Sequence, residues 1–151
     1  YKGIAVTRTR ELTFAKCPHP GINNNNNKCT ECGATLVAEL TAGASSSATY
    51  YETLEEALNA AQEADAGSTV KLLADCSLSS YELRKGTILL DLDGHTLTQP
   101  RNPLWVSGTA NLTVKNDRST RNEDNGRFSL QSETATLSVT KGRRVVSMIC
   151  L

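Results

Sequence analysis

The chain has no surplus of charge. Its 151 residues carry 16 basic and 16 acidic side chains, for a formal net charge of zero. A dedicated binder of nucleic acid or anionic membrane needs a basic excess, so that balance argues against both classes and leaves room only for a local basic patch. Aromatic residues are scarce too: two Phe, one Trp and four Tyr. A stacking platform for bases has little to be built from. No apolar run approaches the roughly 20 residues that span a bilayer. No signal peptide is visible at the start. The chain opens Tyr1-Lys2-Gly3 without a Met, which reads as a processed product or an internal fragment and leaves a secreted origin open.

What is present in quantity is Ser, Thr, Asn and Gly, with Leu, Val and Ala as the main apolar residues. That mixture suits short strands joined by many turns. A chain of this length makes one ordinary domain, or one domain with a small appendage. Cys17, Cys29, Cys32, Cys76 and Cys150 are odd in number and clustered early, unlike a disulfide framework spread over a whole fold.

The densest chemistry lies in residues 17–35. Cys17-Pro-His19 is followed by a loop and then Cys29-Thr-Glu-Cys32-Gly33. Cys-x-x-Cys-Gly is a turn that aims two thiolates at one point, and Gly33 relieves the backbone just after it. Cys17 and His19 can complete a set of three sulfurs and one nitrogen, which suits a tetrahedral Zn²⁺. So short a segment cannot bury a core, so the metal would supply its folding energy. Four protein ligands leave no open position, so the role would be structural rather than catalytic. A Cys29–Cys32 redox pair and a disulfide such as Cys17–Cys29 are the rivals. The first lacks a surrounding βαβ pattern, and the second requires an oxidising setting. Asn23 to Asn27 read as a solvated loop between the ligand pairs.

The remaining organisation follows in order. Residues 1–16 hold one plausible strand, Ile4 to Thr7, and read as the tail of an upstream region. Residues 17–40 are the Cys/His module, ending in a short strand from Leu36 to Leu40. Residues 41–49, with Gly43 and three serines, read as a linker. From residue 50 to 151 a helix and many short strands are expected. Thr53-Leu-Glu-Glu56 is a capping box, and Leu54, Ala57, Leu58, Ala61 and Ala64 form one apolar helical face that Gly67 ends. Strands are expected at Val70 to Leu73, Ile88 to Leu92, Thr96 to Thr98, Leu104 to Val106, Leu112 to Val114, Phe128 to Leu130, Leu137 to Val139 and Val145 to Ile149. Turn material separates them at Asp93-Gly94, Pro100 to Pro103, Ser107-Gly108, Asp124 to Gly126 and Lys141-Gly142.

Leu72, Leu92, Leu112 and Leu137 recur at intervals of 20, 20 and 25, and Leu97, Val106 and Leu130 form a looser second series. Periods of this kind point to a solenoid whose stacked coils share a core, with the helix as its end cap. The fold expected is therefore mainly β: a right-handed parallel β-helix with an N-terminal capping α-helix and a small Cys/His metal-binding module. The competing reading is a β-hairpin turning at Asp93-Gly94, as part of a small antiparallel sandwich.

The segments from Tyr50 to Ala61, Gly67 to Asp75, Thr87 to Leu97 and Leu104 to Val114 together resemble the opening coils of right-handed parallel β-helix proteins of the pectin-lyase-like class. They look most like those in large secreted or wall-anchored surface proteins of Gram-positive gut bacteria. The Cys-x-His…Cys-x-x-Cys-Gly unit resembles the small cysteine-rich modules that precede such β-helices, in the manner of a zinc ribbon. The resemblance covers roughly residues 15–116 and implies an extracellular, secreted or surface-attached protein.

Asp91, Asp93 and His95 are the residues to weigh for catalysis, because in a strand they share one face. Enzymes of this class place calcium or an acid/base pair on such a face, and a glycosidase needs two carboxyls at a set separation. A tight Asp-Gly turn on a polar surface explains the same residues without chemistry. Glu123 to Gly126 lacks the alternating ligand spacing of a calcium loop. The Asn111-Leu-Thr113 sequon is a match by pattern alone. Arg118, Arg121, Arg127, Arg143 and Arg144 read as a solvated basic surface. The expectation is thus a non-catalytic adhesive or fibre-forming module that binds a glycan, a host or bacterial surface protein or its own copies, with structural zinc at Cys17, His19, Cys29 and Cys32. The alternative is the N-terminal part of a polysaccharide lyase or glycoside hydrolase.

Overall fold

A computed structural model describes residues 16–43, 45, 47–64, 67–99, 104–115, 128–130 and 134–140. The expected strands at Ile4 to Thr7 and Val145 to Ile149 lie outside the described residues. So do Cys150, the Pro100 to Pro103, Asp124 to Gly126 and Lys141-Gly142 turns, and the five arginines of the C-terminal third.

The protein is mainly β, with one helix among the described residues. A short antiparallel pair comes first, β1 (Ile22–Asn23) with β2 (Lys28–Cys29). Then β3 (Ala38–Ala42) pairs antiparallel with β4 (Ala48–Tyr51), which leads into α1 (Leu54–Glu63). The chain next runs β5 (Ser68–Leu72), β6 (Cys76–Ser77) and β7 (Tyr81–Leu83), then β8 (Thr87–Asp91), β9 (Leu97–Thr98) and β10 (Leu104–Val106). It closes with β11 (Asn111–Lys115), β12 (Phe128–Leu130) and β13 (Thr136–Thr140). Those nine strands sort into three sheets, visited in rotation twice from β5 to β10, and among the described residues β11, β12 and β13 then return to two of them. β5, β8, β11 and β13 pair in parallel, and β3 and β4 extend that sheet antiparallel beyond β5. β7, β10 and β12 make a second parallel sheet, and β6 with β9 a third.

Alternation explains the register. In β5 Ser68, Val70 and Leu72 are buried, in β8 Ile88 and Leu90, and in β11 Leu112 and Val114. Ser68, Ile88, Leu112 and Leu137 therefore stand in one column, and Val70, Leu90 and Val114 in the next. Any one-residue slip would turn each set outward. The expected leucine series is corrected here. Leu112 lies opposite Ile88, not Leu92, which sits past the end of β8 and donates its N–H to Lys115 O at 2.9 Å. The second series also divides, because Val106 pairs with Leu130 whereas Leu97 pairs with Cys76 in another sheet.

The hairpin alternative fails on pairing, not on its turn. Asp93 and Gly94 both have positive φ, 44° and 88°, and His95 N donates to Leu92 O at 2.7 Å. That local geometry suits a type I′ turn. The flanking strands β8 and β9 nevertheless lie in different sheets.

The helix buries Leu54, Ala57, Leu58 and Ala61, the expected face, against β3, β4, β5, β7 and β8. Thr53 caps it, accepting from Glu56 N at 3.2 Å. The second half of the capping box is not made, because the Glu56 carboxylate pairs with Lys16. The helix ends at an extended Ala64 rather than through Gly67, which lies against Thr87 of β8. The boundary drawn at residues 41–49 also moves. Thr41 pairs with Ala48, so both ends of that stretch are strand and it is the connection of a β-hairpin.

Candidate metal centre

Each ligand is placed by a short local device. The β1–β2 pair sets Ile22 opposite Cys29 and brings the first ligand pair over the second. After Cys29, Gly33 takes φ +73° and its N–H donates to Cys29 O at 3.0 Å, folding the Cys-x-x-Cys turn back on itself. Cys29 N donates to Ala34 O at 2.8 Å, and Thr30 N to Gly21 O at 3.2 Å. His19 adopts φ 50°, an uncommon conformation for a non-glycine residue, and is 4% exposed.

The outcome is convergence of all four expected ligands. One donor atom from each of Cys17, His19, Cys29 and Cys32 lies within 4.8 Å of the others, and the cluster could hold a metal ion. The Cys17 and Cys29 Sγ atoms are 3.8 Å apart, and Cys32 Sγ lies 3.5 Å from His19 Nδ1. Tetrahedral ligands at ordinary zinc bond lengths sit about 3.8 Å apart for two sulfurs and about 3.6 Å apart for sulfur and nitrogen. Cys17, Cys29 and Cys32 are free thiols.

The thiols titrate apart. Cys29 is lowered to about 6, first by the backbone N–H of Cys32, with help from His19 and the Glu31 N–H against the cost of burial. Cys17 is pushed up to about 11: the His19 backbone N–H favours its thiolate, but burial and the Cys32 and Cys29 thiols outweigh it. Crowded thiols cannot all ionise without a cation among them.

Two contributions were not read from the sequence. Glu52 Oε1 lies 3.1 Å from His19 Nε2. Its signal is the need of a ligating His for a carboxylate partner, but nothing in the spacing singles out Glu52 among the acids. The asparagine tract is the exposed stretch expected, with Asn23 to Asn26 open to solvent, and it is also a built turn. Asn27 N donates to Asn23 O at 2.9 Å, Asn23 Oδ1 accepts from Asn25 N at 3.0 Å, and Asn26 Oδ1 accepts from Lys28 N at 3.2 Å. Asn27 takes φ 53° and its side-chain amide donates to Leu73 O, at the end of β5.

The catalytic alternative looks different at its residues. Asp91 Oδ2 lies 2.9 Å from Lys115 Nζ, and Asp91 Oδ1 accepts from Asp93 N at 3.0 Å. Asp93 Oδ2 lies 3.0 Å from Lys71 Nζ. His95 Nδ1 faces Asp75 at 3.4 Å. Asp91 and Asp93 thus pair with lysines of the neighbouring strands β11 and β5 and with each other through Asp93 N, while His95 faces Asp75.

No protein-family model, curated protein or solved structure matches the chain. No helix among the described residues is long and apolar enough to cross a membrane.

Proposed function

We propose that the chain is a non-catalytic scaffold from a secreted or surface-attached protein. In this reading the strands β5 to β13 wind as a parallel β-helix, α1 and β3–β4 close its first coil, and a zinc-bound Cys/His unit fastens that end. The observation that carries it is the rotation of β5 to β10 twice through three parallel sheets, with β11 to β13 continuing two of them and inward columns in register from Ser68 to Leu137. Such a stack buries a continuous core while leaving a regular outer face for recognition. The donor set of three sulfurs and one nitrogen, and sulfur spacing matching tetrahedral zinc, favour Zn²⁺ over harder ions. The Asp91 and Asp93 ion pairs speak for a structural face rather than an acid/base pair.

The partner class is a glycan, a cell-surface protein or another copy of the chain. Glycan arrays and sedimentation of the full chain test it, alongside polysaccharide-cleavage assays of the wild type and of the Asp91→Asn/Asp93→Asn double variant. Saturable binding or self-association without cleavage is expected. Cleavage that the double variant abolishes would replace the scaffold with the carbohydrate-active enzyme.

A further inference from the structure

The geometry points to Glu52 as the positioning residue of the metal centre, selecting Nδ1 of His19 as the ligand atom and coupling metal loading to the N-terminus of α1. This rests on the zinc reading above and adds the nitrogen that binds, the residue that selects it and the element that feels it.

A carboxylate only accepts hydrogen bonds, so the contact of Glu52 Oε1 with His19 Nε2 at 3.1 Å requires the proton on Nε2. The lone pair is then on Nδ1, the nitrogen that faces Cys32 Sγ at 3.5 Å. The ring is 4% exposed and both its nitrogens are engaged, Nε2 by Glu52 and Nδ1 by Cys32, which holds it against a flip that would offer Nε2 instead. A carboxylate on the outer nitrogen of a ligating imidazole fixes its tautomer and raises its basicity.

Glu52 is also part of the helix entry. It immediately precedes Thr53, whose hydroxyl caps α1 at Glu56 N. Lys16, one residue before the first ligand, pairs with Glu56 in the first turn. On the other side of the unit, Asn27 bonds Leu73 O, Leu36 N donates to Asn27 O at 2.7 Å, and Val37 N donates to Tyr51 O at 2.8 Å. The four ligands are therefore fastened to both α1 and the end of β5. Closing them on a metal stiffens the entry of α1, and losing the metal loosens it.

The test uses the full chain with Zn²⁺ as the probe. Nitrogen NMR of the His19 ring in the zinc form is expected to show Nδ1 bound and Nε2 protonated. Glu52→Ala is expected to weaken zinc affinity 10- to 100-fold, as loss of such a partner usually does, while Glu52→Gln retains most of it because its amide oxygen still accepts from Nε2. Hydrogen exchange at the Glu56 and Ala57 amides is expected to slow on zinc addition in the wild type and much less in Glu52→Ala. Zinc on Nε2, or equal affinity in wild type and Glu52→Ala, would overturn the role of Glu52 while leaving the zinc site intact. A wild-type chain that binds no zinc would overturn the zinc reading itself, and this inference with it.

Discussion

Lys115 Nζ lies 2.9 Å from Asp91 Oδ2, across the boundary between β11 and β8. Lys71 and Asp93 repeat the arrangement at 3.0 Å on the β5 side. The aspartates are thus spanning residues, each holding a strand to its neighbour. Partly exposed cross-strand pairs of this kind are worth about 0.5 kcal/mol each. Asp91→Asn and Asp93→Asn should each lower the denaturant midpoint slightly, the losses disappearing at high salt.

Tyr81 binds α1 to the second sheet through its hydroxyl, which accepts from Gln62 Nε2 at 2.8 Å and donates to Asn59 Oδ1 at 2.9 Å. Gln62 in turn accepts from Arg84 N at 2.9 Å. Tyr81→Phe keeps the ring and removes both hydrogen bonds, with Asn59 free to turn to solvent, a cost of about 1 kcal/mol. Urea unfolding should show the loss with an unchanged slope.

Most of this fold is legible where apolar residues alternate strictly. β8, β10 and β11 lie within a residue of the expected spans because Ile88/Leu90, Leu104/Val106 and Leu112/Val114 leave one choice of inner face. β4, β6 and β7 are not legible, because Ala48-Thr-Tyr-Tyr51, Cys76-Ser77 and Tyr81-Glu-Leu83 are too short or too polar to stand out, and pairing alone makes them strands. Leucine spacing misleads between β8 and β11, where register follows burial of Ile88 over Leu112. At the site, ligand types and spacing identify all four convergent residues. Glu52 and Asn27 act through tertiary contacts to residues distant in the chain, which local pattern does not encode.

Two glycines separate backbone strain from steric fit. Gly33 (φ +73°) has nothing within 4 Å of where a Cβ would stand, whereas at Gly108 (φ +56°) that atom would lie 2.4 Å from Arg84 O. Gly33→Ala should cost about 1 kcal/mol from the left-handed conformation alone. Gly108→Ala adds a backbone clash at the turn between β10 and β11 and should cost about 3 kcal/mol or more. Thermal melts of the two variants in the zinc-loaded chain would rank them.

Glu82 gives the chain an acid-sensitive contact. Its carboxyl is held below the ordinary value of 4.5, first by the Ser107 hydroxyl at 2.7 Å and then by Arg84. A depressed folded pKa stabilises the protein fully above 4.5 and loses that stabilisation as pH falls below it toward the folded value. Glu82→Gln should therefore be less stable than wild type at neutral pH, and the two should converge in acid. Guanidine midpoints measured from neutral pH down to acid would show the difference closing, and a constant difference would remove Glu82 as its source.

Metal removal is the most direct probe of how residues 17–35 are held. The Cys/His unit buries Leu36, Cys29 and His19, too little apolar surface to order residues 17–35 unaided. One zinc per chain is expected. A chelator should lower the melting temperature and expose Cys17, Cys29 and Cys32 to alkylation together, since thiolates bound to zinc react slowly. Cys29→Ser and Cys32→Ser should each mimic the chelated state, whereas Cys76→Ser should not, because Cys76 lies in β6 outside the cluster. If oxidation instead joined Cys17 to Cys29, whose sulfurs are 3.8 Å apart, mass spectrometry would find the pair two hydrogens lighter and chelator would change nothing. Reactivity toward alkylating agent, read with and without chelator, separates a metal clasp from a covalent one because only the former releases all three thiols at once.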